Sequence, residues 1–326
     1  MNQTQALLFL EKNLKEINQT PMGRRLFLSS LPMLLAGCST SQTRHREGDN
    51  TGQVAALTVG EEEKMTRDYL PKMEKEYPIH RNRYLQSYIS NIGNSIVSAN
   101  NLHKKPYSYN FRVVDAKMVN AFALPAGEVF VTAPLIKMCS SEAELAGVIG
   151  HEIGHIQARH SAERIHKAKK EESKSMWLGL AGGLLGGAAG FALAKKLCEP
   201  QDKECIKRIT LYGGAAGAGG ALLIQKFAFM ANSREDEMEA DRIGFKTSYK
   251  AGYDNDHIGK FYENLLIMEQ KHQKGQNALT KSFADALSTH PPSKERVKQM
   301  KEMAATYQNK GKVSSPSFRK VKKIIS

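Results

Sequence analysis

Three parts of the chain show the apolar spacing of helices. Between residues 60 and 101, apolar side chains recur every three or four positions among charged ones, which predicts helices. The same spacing runs from Ser141, a residue type that caps helices, to about Lys169. It returns over residues 254–306 and breaks at the two adjacent prolines, Pro291 and Pro292.

The stretch between the first two helical parts has a different pattern. Phe111 and Val113 alternate with polar residues, and apolar residues run together at 119–124 and 129–132. These segments predict strands, with Pro-Ala-Gly at 125–127 as the turn of a hairpin. The pattern therefore predicts an α+β domain that is mainly helical and has a small β-sheet.

The first 38 residues resemble a bacterial export signal. Two arginines precede twelve uncharged residues (26–37), and Leu-Ala-Gly-Cys at the end of the segment resembles a lipobox. We therefore predict a signal peptide over 1–38, with Cys38 as the lipidated first residue of the mature protein, followed by a polar tether over 39–55. Ser39, rather than an aspartate, follows the cysteine, and this resemblance favours sorting of the lipoprotein to the outer membrane. Two alternatives stay open. The segment could be a core helix with a chance cysteine, or an export signal for the twin-arginine pathway rather than the general one.

Composition and charge narrow the class of protein. The chain has 326 residues, 41% of them hydrophobic and 25% charged, with a mean hydropathy of −0.45. These values exclude a disordered chain and one made mostly of membrane spans. The net charge is +14, and removing residues 1–37 would lower it to +12. An exported protein does not meet the chromosome, so we expect no nucleic-acid partner and instead anionic lipid or lipopolysaccharide.

Residues 309–326 are predicted to form a mobile, solvated basic tail.

A glycine-rich insertion interrupts the pattern at 173–228. Its two uncharged stretches, 175–194 and 209–225, contain six and five glycines. The favoured interpretation is a close-packed helical hairpin, and a hairpin in or on the membrane is the alternative. Cys198 and Cys205 at its tip could form a disulfide in an oxidising compartment.

The chemistry of the chain centres on His151-Glu152-Ile153-Gly154-His155. On a helix, His151 and His155 lie one turn apart on one side, so both imidazoles can bind one ion. Glu152 lies beside that ion, where its carboxylate can take a proton from a water molecule. The alternative is a helix with two partly exposed histidines. On a continuous helix His160 lies about 140° from His155, so we expect it at the surface or behind a ligand rather than on the same ion.

An acidic stretch at 233–244 offers the third ligand. One helical stripe carries two acids and two small residues that permit close approach of another helix: Glu237, Ala240, Asp241 and Gly244. Buried carboxylates on such a stripe need a partner, and a metal ion supplies one. We therefore predict Glu237 as the third zinc ligand and Asp241 as the carboxylate that orients a ligand histidine. A second stripe is predicted to face solvent: Glu235, Glu239 and Arg242.

Four motifs in this order resemble one known family over roughly residues 80–300. They are the run 119–127, the run 151–155, Glu237 with Asp241, and Thr289-His290-Pro291-Pro292 followed by Arg296. The chain resembles the zinc endopeptidases related to the CAAX prenyl protease and the mitochondrial overlapping-activity protease, especially their bacterial periplasmic lipoprotein branch. The resemblance implies a zincin fold of the gluzincin type over residues 56–308, with the small sheet beside the active-site helix.

The resemblance also implies roles that spacing alone does not assign. His290 would stabilise the oxyanion or act as a removable fourth ligand, although from the residues alone it could be a helix cap. Arg296 would lie near the same pocket. Asn120, Ala121 and Phe122 would lie on the strand to which an extended substrate adds by backbone pairing.

These features together predict a zinc metalloendopeptidase with one Zn²⁺ per chain. Glu152 would act as general base and then as general acid. The expected substrates are unfolded or misassembled cell-envelope proteins, and the expected location is the periplasm, with a lipid anchor in the outer membrane. Two alternatives stay open: a non-catalytic envelope assembly factor or chaperone that retains the fold, and a module that binds lipid surfaces through its basic end.

Overall fold

A computed structural model describes residues 47, 57–105, 107–165, 232–273, 289–308 and 310–325. Nine helices and three strands have defined bounds in this part of the chain. The helices are α1 Val59–Glu76, α2 Arg83–Ala99, α3 Ala133–Met138, α4 Glu142–Gln157, α5 Arg234–Lys250, α6 Asn255–Ile258, α7 Lys260–Gln273, α8 Lys294–Thr306 and α9 Pro316–Ile324. The strands are β1 Asn110–Val114, β2 Ala121–Ala123 and β3 Glu128–Thr132. The predicted α+β class is confirmed.

The three strands form one small sheet in the order β1-β3-β2. β1 runs parallel to β3, whereas β2 is antiparallel to it, with Ala121 opposite Val131. The hairpin predicted at 125–127 is present. Its turn places Ala126 at φ 64° and Gly127 at φ 92°. A Cβ on Gly127 would lie 2.1 Å from the Ser108 carbonyl oxygen, so only glycine fits there.

Helix α4 lies in the centre of the core. The Ser141 side chain accepts a hydrogen bond from the Glu144 amide and so caps the helix, as its sequence predicts. The helix is buried from Glu142 to Ile156. It ends at Gln157, earlier than the predicted Lys169, because Arg159 adopts φ 50° and turns the chain. A separate helical stretch follows at 160–165.

Helix α5 crosses α4 at very short range. A Cβ on Gly244 would lie 2.6 Å from the His151 amide nitrogen, and one on Gly154 would lie 2.8 Å from the Ala240 carbonyl oxygen. The small residues of the α5 stripe therefore permit the close approach that their spacing predicts. This approach sets the carboxylates of α5 beside the histidines of α4.

The basic C-terminal segment is not a solvated tail, and that prediction was wrong. Helix α9 buries Phe318 and Val321 in the main core. Before it, the Val313 carbonyl accepts a hydrogen bond from the Ala143 amide, and the Ser314 hydroxyl accepts one from the Glu142 amide. The segment thus satisfies two free N–H groups at the start of α4. The many basic residues had suggested a solvated tail, but they lie on an amphipathic helix.

Several predictions lie outside the described residues. They are the signal peptide with Cys38, the tether apart from Glu47, the glycine-rich hairpin and the Cys198–Cys205 pair. Among the residues described, no helix combines the length and apolar character needed to cross a bilayer.

Candidate metal centre

Four side chains from three parts of the chain converge at one buried point. His151 and His155 come from α4, Glu237 from α5, and His290 from the turn before α8. One ligand atom from each lies within 4.8 Å of all the others, so the four are close enough to share one metal ion. The two Nε2 atoms of the α4 histidines are 2.9 Å apart, and His155 Nε2 is 3.2 Å from Glu237 Oε1. Two imidazoles and a carboxylate form a donor set that suits zinc.

His290, in the turn before α8, completes the cluster. Its Nδ1 lies 3.0 Å from Glu237 Oε1 and 3.2 Å from His151 Nε2, and its Nε2 lies 3.5 Å from Glu152 Oε1. The helix-cap alternative for His290 is wrong, because the side chain of Ser293 caps α8 by accepting from the Arg296 amide.

Asp241 holds His151, as the helical stripe predicts. Asp241 Oδ1 lies 2.9 Å from His151 Nδ1, which leaves His151 Nε2 directed into the cluster. Burial would raise the pKa of the Asp241 carboxyl, but the paired guanidinium of Arg296 holds this pKa below its usual range. Burial opposes protonation of His151, yet the carboxylates of Glu237 and Asp241 raise its pKa to about 9 in the metal-free site.

Arg296 connects the two carboxylates of α5. Its Nε and Nη2 each donate to Asp241 at 2.7 Å, and its Nη1 lies 2.6 Å from Glu237 Oε2. The guanidinium stacks on the Tyr262 ring at 4.5 Å and is 1% exposed. Arg296 therefore lies near the pocket, as the resemblance implies, but it contacts the ligand and its orienting carboxylate. It is a positioning residue.

A second buried contact lies behind His155. His160 Nδ1 is 2.7 Å from His155 Nδ1, and His160 Nε2 is 3.3 Å from Glu239 Oε2. His160 is fully buried. Of the two predicted positions, the surface is therefore wrong, and the position behind His155 is right. The angle of 140° assumed a continuous helix, whereas the turn at Arg159 brings His160 back to His155.

The solvent-facing stripe on α5 was also predicted wrongly. Glu235 is exposed, but Glu239 is fully buried against His160, and Asp236 is buried too. A dense run of acidic residues at the start of α5 had suggested that this face is exposed to solvent. The histidine that faces them explains their burial.

Sequence reasoning missed Asn232 and Arg164. Asn232 Nδ2 lies 2.6 Å from Glu237 Oε1 and 3.3 Å from His155 Nε2, which places a carboxamide at the cluster. Arg164 Nη1 donates to Asn232 Oδ1 and so directs the amide nitrogen toward the ligands. Burial lowers the pKa of Arg164. The sequence carries no spacing signal for either residue, because both act from turns or short segments.

The predicted substrate strand lies alongside this cluster. Asn120 accepts a hydrogen bond from Thr289 Oγ1 at 3.3 Å, which ties it to the turn that carries His290. Phe122, however, is buried on the opposite face of the sheet and stacks on Phe130 with the ring centroids 5.1 Å apart. Phe122 thus lies on β2, as predicted, but its side chain packs away from the cluster.

The outer edge of β2 belongs to Ala121 and Ala123. The Asn120 carbonyl and the Leu124 amide bond to β3, so by alternation the backbone groups of Ala121 and Ala123 point away from it. In the ranges that the structure describes, β2 is the last strand on this side of the sheet. An extended peptide could therefore pair with these groups.

Comparisons with known proteins agree with this geometry. The model of Peptidase family M48 matches residues 81–304. The beta-barrel assembly-enhancing protease of Escherichia coli K12 is 27% identical over 254 residues, which cover 78% of this chain and 46% of that protein. The mitochondrial metalloendopeptidase OMA1 of Arabidopsis thaliana is 32% identical over 227 residues, covering 70% of this chain and 38% of the relative. The chain thus spans less than half the length of these two relatives.

Proposed function

The chain belongs to peptidase family M48, and from that premise we propose that it is a zinc-dependent endopeptidase. The observation that carries the proposal is the convergence of His151, His155 and Glu237 beside Glu152, next to a strand edge that can pair with a peptide. His151, His155 and Glu237 would hold one Zn²⁺ per chain. Zinc bound there would polarise the peptide carbonyl and make water more acidic.

The residues of the chain would carry the remaining steps. The backbone of Ala121 and Ala123 would align the substrate across the site. Glu152 would take the proton of the attacking water and return it to the leaving nitrogen. The amide nitrogen of Asn232 and the imidazole of His290 lie where they could stabilise the charge that develops on the carbonyl oxygen. His290 could instead serve as a removable fourth ligand.

The proposed substrates are unfolded or misassembled proteins of the cell envelope. Backbone pairing at a strand edge reads few side chains, which suits extended and non-native chains. The names of the bacterial relatives refer to β-barrel assembly, which supports an envelope location. We further propose that Cys38 anchors the protein by lipid in the outer membrane, where the net positive charge of the chain would attract anionic lipid. Loss of lipid labelling in Cys38→Ala would test the anchor.

The proposed activity has a direct test. Purified full-length protein should cleave casein, and Glu152→Gln should reduce the rate by at least roughly 100-fold while it retains zinc. Casein cleavage that is unchanged in Glu152→Gln would contradict the proposal. A folded, zinc-loaded protein without any activity would favour the alternative of a non-catalytic assembly factor.

A further inference from the structure

The basic C-terminal segment has no part in the proposed peptidase chemistry. The match to the M48 family ends at residue 304, whereas the structure packs residues 310–325 against α2 and the start of α4. This segment carries six cations and no acidic residue. The structure divides these cations into two groups of three, which differ in what they contact.

Three of the six cations are held by the protein itself. Lys312 Nζ lies 2.6 Å from the buried carboxylate of Glu142, and Lys310 pairs with a carboxylate of α6. Lys322 donates to the carbonyl oxygen of Cys139 at 2.9 Å. These contacts fix the segment on the domain. The remaining cations are therefore presented on an ordered helix.

The other three cations point away from the core together. Arg319, Lys320 and Lys323 are exposed and lie on the side of α9 opposite Phe318 and Val321, which are buried. Within the part of the chain that the structure describes, none of the three forms an ion pair with a carboxylate. Their charges are thus left without a compensating acid.

The neighbouring helix adds no negative charge to this surface. Lys320 Nζ lies 4.1 Å from the centre of the Tyr84 ring, which places α9 beside the start of α2. Helix α2 contains no acidic residue, and Arg83, its first residue, is exposed. We call these four cations the basic face: Arg83, Arg319, Lys320 and Lys323. A group of cations that no acid offsets produces a positive potential, which attracts an anionic surface.

Exposed apolar side chains accompany the basic face. Of the three large apolar side chains that are exposed among the described residues, two lie in this segment, Val313 and Ile324. Ile324 is on α9 itself, one turn after Lys320. A small anion would gain nothing from an apolar side chain, whereas the interface of a bilayer accommodates cations and apolar groups together. The combination therefore favours a lipid surface as the partner.

We propose that the basic face docks on a leaflet that contains anionic phospholipid such as phosphatidylglycerol. The inference rests on the proposed location at a membrane, but not on the proposed peptidase activity. Lipid phosphates would pair with the four cations, and Ile324 would enter the interface. Helix α9 lies at the start of α4, and His151 comes nine residues after Glu142, about 13 Å along the helix. Docking at that end would leave the metal centre uncovered.

Vesicle binding tests the inference with the full-length protein. Wild type should bind vesicles of phosphatidylcholine with about 30% phosphatidylglycerol at least about tenfold more tightly than vesicles of phosphatidylcholine alone. The difference should shrink in about 0.5 M salt, because salt screens the charges. Equal binding to both kinds of vesicle would overturn the inference. Casein cleavage and lipid labelling of Cys38 do not depend on this face, so that result would leave the proposed activity and anchor intact.

Removing the outward charges of α9 should weaken the binding. The triple variant Arg319→Gln, Lys320→Gln and Lys323→Gln should bind the anionic vesicles at least about tenfold more weakly than wild type. All three side chains are exposed, so its Tm should stay close to that of wild type. Lys323→Glu alone, which reverses one exposed charge, should weaken binding at least about threefold. Unchanged binding in both variants would overturn the inference.

A matched control separates the basic face from net charge. It removes the same number of charges from exposed lysines of α1, a helix that also carries acids, through Lys64→Gln, Lys72→Gln and Lys75→Gln. Binding of this control to anionic vesicles should fall less than about twofold. An equal loss in the α1 and α9 triple variants would show that net charge alone attracts the lipid, and it would overturn the inference.

Discussion

The contact between His160 and His155 gives a quantitative prediction about metal affinity. If His155 binds zinc through Nε2, its Nδ1 must carry the proton, and this N–H donates to His160 Nδ1 at 2.7 Å. His160 must then carry its own proton on Nε2, which points to Glu239 Oε2 at 3.3 Å. The two hydrogen bonds fix the tautomer and the ring orientation of the ligand.

Replacing His160 removes the acceptor behind His155. In His160→Leu the buried N–H of His155 has lost this partner, which costs about 1–3 kcal/mol. At 1.4 kcal/mol per factor of ten, zinc affinity should fall roughly 5- to 150-fold. Glu239→Gln keeps an acceptor oxygen but loses the charge, so it should weaken zinc binding by a smaller factor.

The assay is competition for zinc against a chelator of known affinity, with thermal unfolding of the apo proteins as the test of folding. Glu235→Gln is the matched control, because Glu235 lies one turn away on α5 and is exposed. Its zinc affinity should equal that of wild type. A folded His160→Leu protein with wild-type zinc affinity would refute the reasoning, and so would equal effects of Glu235→Gln and Glu239→Gln.

Three further predictions follow from other contacts. Arg296→Lys keeps the charge but loses the two-pronged bond, so zinc affinity should fall roughly tenfold; unchanged affinity would contradict the positioning role. Gly244→Ala forces a methyl group against α4 and should cost about 1–3 kcal/mol, measured by urea unfolding. Gly60→Ala, which meets nothing within 4 Å, should not destabilise. Lys312→Met should lower Tm by about 1–3 °C at pH 7, since it breaks a half-exposed pair. Burial would raise the pKa of the Glu142 carboxyl, but Lys312 and its other partners hold it below 4.5. This stabilisation is therefore present at neutral pH and lost as the pH falls through the folded-state pKa, so the Tm difference should close in acid. A Tm difference that does not shrink as the pH is lowered would contradict the pairing.

Much of the site could be predicted because its parts are periodic. Two histidines one helical turn apart lie on the same side of a helix. Once a helix was predicted there, the pairing of His151 and His155 followed from its geometry. The stripe on α5 likewise identified Glu237 and Asp241, since acids flanked by small residues on one face indicate close packing. The hairpin turn required a residue type that tolerates positive φ, and Gly127 supplied it.

The contacts that could not be predicted depend on where a helix stops. His160 reaches His155 only because α4 ends at Gln157, and a short-range pattern locates such ends poorly. Asn232 acts from the residue before the α5 cap, where no periodicity applies. The packing of the C-terminal segment could not be predicted for another reason. Its six positive charges suggested a solvated tail, whereas only two apolar residues, Phe318 and Val321, fix it to the core.

The most direct test of the metal centre is the zinc content of the purified protein. Elemental analysis of the wild-type chain should give one zinc per chain, and Glu237→Ala should lose most of it after dialysis against a weak chelator. Glu235→Ala, on the same helix but exposed, should retain the full amount. A wild-type protein without stoichiometric zinc, or a Glu237→Ala protein that retains all of it, would contradict the assignment.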